Sequence, residues 1–175
     1  MTNYLIVPGY GNSGPEHWQT HFENTLPNCT RINQENWDEP VMNDWVKNID
    51  FAVRQFDPET VVLISHSMGG IAIAHWAKQH TLKIKGAMIV APPDLENPFL
   101  DLPIENFTPI PTSKLPFPSI LVASTNDHWA SKEKSIEFAE NWGSKLHFIG
   151  DAGHINSDSG HSTWTEGLEL LKSVC

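Results

Sequence analysis

Cysteine is nearly absent from this chain: 175 residues hold two, Cys29 and Cys175. A disulfide framework needs more, so the fold has to rest on a packed core. Cys175 stands last, and prenylation requires three residues after its cysteine. Basic side chains are also few, 11 Lys and Arg against 21 Asp and Glu, for a formal net charge of -10. Nucleic acids and anionic membrane surfaces are bound through clustered Lys and Arg, so neither partner is expected. No apolar run approaches the roughly 20 residues that cross a bilayer. The opening MTNYLIVPG lacks the basic region and the longer apolar stretch of a secretory signal. These absences lead us to expect a cytoplasmic protein acting on a small neutral molecule. Repeats and low-complexity tracts are missing too, and the length suits one domain spanning residues 1–175.

What is present is a rhythm. The apolar runs YLIVPG, TVVLISHS, GAMIVAP, SILVAS and KLHFIG are each bounded by turn residues, and most are followed by a stretch of helical period. Parallel strands with crossover helices have this alternation. TVVLIS is apolar at consecutive positions, as a central strand covered on both faces should be. MGGIAIAHWAKQH and residues 44–56, 131–142 and 162–174 are the helix candidates, the third with Ser131 near its start. A weaker strand is expected near residues 29–33. The sum is an α/β fold, a doubly wound sheet of about six mostly parallel strands with helices on both faces.

One stretch interrupts the rhythm. Residues 94–118 include Pro98, Pro103, Pro109, Pro111, Pro116 and Pro118 and keep no sustained period. A loop this long is either a surface excursion closing the sheet edge or a functional, mobile element over a site.

Ser65-His66-Ser67-Met68-Gly69-Gly70 lies where the strand TVVLIS ends and a helical pattern begins. This is the setting of a nucleophile elbow, in which a strained turn lifts a serine hydroxyl clear of the sheet. Ser67 fits the nucleophile because Gly69 follows two residues later, although Ser65 occupies the place of the first glycine in G-x-S-x-G. A serine hydroxyl needs a base, and the base needs an orienting acid, which in this arrangement follow in the order serine, acid, histidine. Asp127 follows the strand SILVAS and His154 follows KLHFIG, so three groups stand at three strand ends in that order. Asp94, after GAMIVAPP, is the rival acid, and Asp127 has an alternative use as a cap for the next helix. His154 has an alternative use as a metal ligand with His161, but neither H-E-x-x-H nor a paired-cysteine spacing occurs, and no metal is expected.

Acyl transfer also requires N–H donors aimed at the developing oxyanion. The backbone of Met68 is one candidate, and Tyr10 in the loop Pro8-Gly9-Tyr10-Gly11-Asn12-Ser13-Gly14 is the other. The same loop has neither the Walker spacing nor G-x-G-x-x-G, which argues against a phosphate cradle. Trp18, Trp37 and Trp129 fall in segments read as loops near these positions, where they would form an apolar substrate pocket or serve as core. His66 and His128 flank the motif positions and receive no role.

Together the blocks PGYGNSGPEHW, NWDEPVMNDW, VVLISHSMGG, VAPPD, ASTNDHWAS and GDAGHINSDSG resemble the small serine hydrolases related to retinoblastoma-binding protein 9 and the bacterial YdeN-like proteins. The resemblance runs nearly end to end. It implies a compact α/β-hydrolase fold without a cap domain, no cofactor, and a triad at Ser67, Asp127 and His154, with serine at the first elbow position as a family habit. The expected activity is cleavage of a small carboxylic ester, or a thioester or amide, through an acyl-serine. The competing expectation is a hydrolase-fold binding or regulatory protein with a protein partner.

Overall fold

The computed structural model describes residues 1–98 and 102–174; Cys175 and residues 99–101 of the proline-rich stretch lie outside the described residues. Six strands form one sheet: β1 Asn3–Val7, β2 Cys29–Arg31, β3 Val61–His66, β4 Gly86–Val90, β5 Ser119–Ala123 and β6 Lys145–Phe148. Their spatial order is β2-β1-β3-β4-β5-β6, and every pairing is parallel. The helices are α1 Trp18–Thr25, α2 Met42–Val53, α3 Met68–Gln79, α4 Lys132–Trp142 and α5 Thr165–Leu171. Among the described residues no helix is long and apolar enough to cross a membrane.

The consecutive apolar residues of the central strands divide between two cores, because successive side chains point to opposite faces of a sheet. Leu5, Val7, Val61, Leu63, Ala87, Ile89 and Leu121 pack with α2, α3 and α4. Ile6, Val62, Ile64, Met88, Val90, Ile120 and Val122 face the other way, toward Trp18 and Phe22 of α1 and Leu171 of α5. The sheet is therefore doubly wound. Its order reverses between β1 and β3, and the crevice at such a reversal, beyond the carboxyl ends of the strands, is where open α/β sheets bind ligands.

Two segments differ from the reading of the sequence. Helix α1 was not foreseen, because WQTHFENT buries only Trp18, Gln19 and Phe22 and shows too short an apolar period. The described part of 94–118 is a strap bound to the sheet's covering layer. Glu105 pairs with the backbone around Val41, while Phe107, Ile110 and Phe117 enter the core. Trp142 Nε1–H donates to the Pro111 carbonyl at 2.8 Å, and His75 Nε2 bonds the Phe107 carbonyl at 2.9 Å.

The backbone packs very closely under the start of α3. A Cβ on Gly69 would stand 2.2 Å from the carbonyl oxygen of Val7 and 2.7 Å from that of Pro8, both backbone atoms that cannot swing aside. We expect Gly69→Ala to destabilise the fold by about 3 kcal/mol or more, the upper range for overpacking. Gly14→Ala, with nothing within 4 Å of its added methyl, should melt near the wild type. Equal melting temperatures for the two variants would contradict this packing.

Candidate active site

Strand β3 delivers Ser67 directly into the first turn of α3, with the serine at φ 53° and ψ -129°. A non-glycine residue held at positive φ costs of order 1–3 kcal/mol and persists only where its surroundings fix it. Here the Ser67 N–H donates to the Val90 carbonyl at 2.9 Å, and the Ser67 carbonyl accepts from the Gly70 N–H at 2.9 Å. The turn also needs open space on its inner side. Gly70 supplies it, since a Cβ there would come within 2.7 Å of Ile89 Cγ2. Ser65, fully buried, is small enough for the position before the turn.

The hydroxyl so presented meets an imidazole. His154 Nε2 lies 3.0 Å from Ser67 Oγ, and His154 Nδ1 lies 2.8 Å from Asp127 Oδ2. An ionised carboxylate only accepts, so it fixes the ring proton on Nδ1 and leaves the Nε2 lone pair facing the serine. The two side chains are nearly enclosed, 4% exposed at Asp127 and 9% at His154. The other Asp127 oxygen accepts from the Trp129 N–H at 2.9 Å, so one carboxylate both shapes its own turn and holds the ring. Asp94 is engaged elsewhere: it faces Lys134 Nζ at 3.8 Å, and its Oδ1 accepts from the Glu96 N–H. His161 likewise stands apart from His154, hydrogen-bonded to Ser159 and lying edge-on to Trp164.

Ser67 and His154 open onto a cleft of about 560 Å³ whose walls include Tyr10, Met68, His128, Trp129 and Asn156, with Asp127 behind the imidazole. The loop after β1 packs directly on the elbow. A Cβ at Gly9 would sit 2.8 Å from Ser67 Cβ and 3.3 Å from the Met68 nitrogen. Arg31 fastens this loop from outside, donating to Asn12 Oδ1 and the Ser13 carbonyl while pairing with Glu23. Gln19 fastens it from inside. Wholly buried, Gln19 accepts from Ser13 Oγ at 2.6 Å and donates to the carbonyls of Val7 and Ile64.

The tryptophans expected around the pocket separate. Trp129 stands on the cleft wall. Trp18 does not: it opens α1, is fully buried, and its Nε1–H donates to the Ile155 carbonyl at 2.9 Å, bracing the histidine loop from below. Trp37 is likewise away from the cleft, edge-on to Trp45, although its carbonyl accepts from the Gly11 N–H. Both corrections have one cause, since an indole offers so much apolar area that the core claims it first.

Several contributors escaped the sequence reading. His17 caps α1 by accepting the Gln19 N–H on Nδ1, and its ring meets that of His66 at 4.7 Å, edge to face. His66, the residue before the elbow serine, bonds the His154 carbonyl through Nε2 at 2.8 Å. Asn126 accepts from the Gly153 N–H. The only signal for these in the sequence was adjacency to the motif residues, which by itself specifies no contact.

A family model described as serine hydrolase matches residues 4–173. A YdeN-like hydrolase of Pectobacterium atrosepticum is 34% identical, with a TM-score of 0.85 over 99% of this chain and 90% of its own. The ydeN gene product of Bacillus subtilis is 20% identical with a TM-score of 0.86, covering 99% of this chain and 98% of its own. The Est2 esterase of Thermogutta terrifontis, solved with butyrate bound, shares the fold at 17% identity and a TM-score of 0.69, over 98% of this chain and 81% of its own. No curated protein sequence matches the chain.

The histidines beneath the site carry a pH signature. Burial, aided by Arg31 and His154, pushes His17 down to about 4, and burial followed by the neighbouring His154 and His17 holds His66 well below the usual histidine range. In the unfolded chain both titrate near 6.5, so below that pH the unfolded state binds more protons than the folded one. Stability is therefore fully present above about pH 6.5 and is lost as pH falls toward 4. We expect the melting temperature to drop across that window and His17→Gln to make the drop shallower. An unchanged slope in the variant would contradict the assignment.

Proposed function

Because the chain belongs to the serine hydrolase family, we propose that it cleaves small carboxylic esters, with thioesters and amides as chemical relatives, through an acyl intermediate on Ser67. The observation that carries this reading is the unbroken hydrogen-bond chain from Asp127 through His154 to Ser67 Oγ. His154 Nε2 takes the hydroxyl proton as Ser67 Oγ attacks the substrate carbonyl carbon, and a tetrahedral oxyanion forms. His154 then gives the proton to the leaving oxygen as its bond to carbon breaks. Water enters, His154 removes its proton, and a second tetrahedral state collapses to free acid and regenerated serine. Asp127 holds the tautomer and stabilises the imidazolium. The Met68 and Tyr10 N–H groups are the proposed oxyanion donors, and Trp129 borders the substrate.

The acyl group should be short. The cleft is lined mostly by loop residues, with the first residue of α3 and the short 3-10 turn Ser157–Ser159, and its approximately 560 Å³ has to hold both halves of the ester. Methylenes left in water forgo about 0.8 kcal/mol each, roughly a fourfold gain in binding.

Three experiments test this function. A fluorophosphonate should label Ser67, with labelling lost in Ser67→Ala and largely kept in Ser65→Ala; Asp127→Asn should lower turnover by on the order of 10⁴ while Asp94→Asn costs far less. An adduct mapped to Ser65, or the reverse ranking of the two aspartates, would overturn the assignment. Separately, p-nitrophenyl acetate or butyrate should give a higher kcat/KM than the dodecanoate below its micelle concentration. A steep rise with chain length would instead require a deep acyl tunnel.

A further inference from the structure

His154 sits in a loop, yet its ring has to meet two partners at hydrogen-bond distance at once. Something must fix its backbone. Gly153, just before it, is at φ +56°, a conformation that glycine adopts freely and that places no side chain against a wall. The restraint comes from the two neighbouring strand ends. On one side of His154, the Gly153 N–H donates to Asn126 Oδ1 at 2.8 Å; on the other, the His154 carbonyl accepts from His66 Nε2 at 2.8 Å. Asn126 immediately precedes Asp127, and His66 immediately precedes Ser67.

We propose that His66 and Asn126 are positioning residues that clamp the backbone on both sides of His154, so that each of its two ring partners is held in register by its own chain neighbour. This rests on the reading of His154 as the general base. A carbonyl cannot donate, so His66 carries its proton on Nε2, and its burial keeps the ring neutral, making the donor independent of pH across the range where an enzyme of this kind works. The ring is wedged between those of His17 at 4.7 Å and His154 at 4.9 Å, which sets its plane. Asn126 is steadied in turn by Ser124, whose Oγ donates to Asn126 Oδ1 at 2.8 Å and accepts from the Ala152 N–H at 2.9 Å. Both contacts to Asn126 Oδ1 are donated to it, so a carboxylate at this position would preserve them.

The test is a set of four variants, His66→Phe, His66→Gln, Asn126→Leu and Asn126→Asp, assayed for kcat and KM on p-nitrophenyl acetate. The His154 Nδ1 proton resonance in NMR is followed in parallel. Loss of a clamp bond lets the ring drift, and a misplacement near 1 Å costs about 100-fold in rate. Asn126→Leu and His66→Phe should lower kcat by about 10- to 100-fold with KM within about twofold, and should broaden the Nδ1 resonance. Asn126→Asp should recover most of that loss, and His66→Gln, which retains an N–H donor, part of it. Asn126 is exposed, so its variants remain informative even where the buried His66 replacements fold poorly. Wild-type turnover in Asn126→Leu, equal losses in the Leu and Asp variants, or an effect on KM alone would overturn the clamp. The NMR signal reads the clamp independently of whether Ser67 is the nucleophile, so the two proposals fail separately.

Discussion

The backbone of Ser67, held at positive φ between β3 and α3, is the constraint on which the rest of the site depends. A residue in that conformation is unstable alone and requires its neighbours to approach from every side. Gly69 lets the carbonyls of Val7 and Pro8 pass beneath the helix start, Gly70 lets Ile89 close in, and Gly9 lets the loop after β1 touch the serine itself. The parallel sheet then places the remaining parts, because all its strands end on the same side. His154 follows β6 and reaches the serine hydroxyl, and Asp127 follows β5 and reaches the far side of the same imidazole.

Around that turn the polar groups are arranged so that few are left to move. Arg31, Ser124, Asn126 and His66 each hold backbone of a loop that borders the cleft, and Gln19 ties the Ser13 hydroxyl of one such loop to the strand carbonyls of Val7 and Ile64. Catalytic electrostatics depend on such preorganisation, since dipoles fixed in advance need not reorient as charge develops. The buried histidines show its cost. His17 and His66 are held neutral, and acid draws on the unfolded state's readiness to protonate them.

Much of this was legible in the sequence where one physical rule governs one segment. Consecutive apolar residues in TVVLIS required cover on both faces, and that strand lies centrally in a doubly wound sheet. The places of Ser67, Asp127 and His154 at three strand ends were legible in the sequence, and the structure links the three by hydrogen bonds through His154. Helix α1 was illegible because its stability comes from Trp18, Gln19 and Phe22 meeting distant residues, with little apolar period of its own. Trp18 and Trp37 were misplaced for the same reason, since sequence shows an aromatic but not which surface reaches it first. The strap and the contacts of His66 and Asn126 are long-range as well: His66 and His154 are 88 residues apart in the chain. No local pattern encodes such a pair.

The central claim is that Ser67 becomes covalently acylated during turnover. Acid quenching during hydrolysis of a p-nitrophenyl ester, followed by intact mass and peptide mapping, tests it most directly. The account predicts one acyl group added to the peptide carrying Ser67, and none in Ser67→Ala. Sustained turnover with no adduct at any time after mixing, or an adduct on another residue, would contradict it.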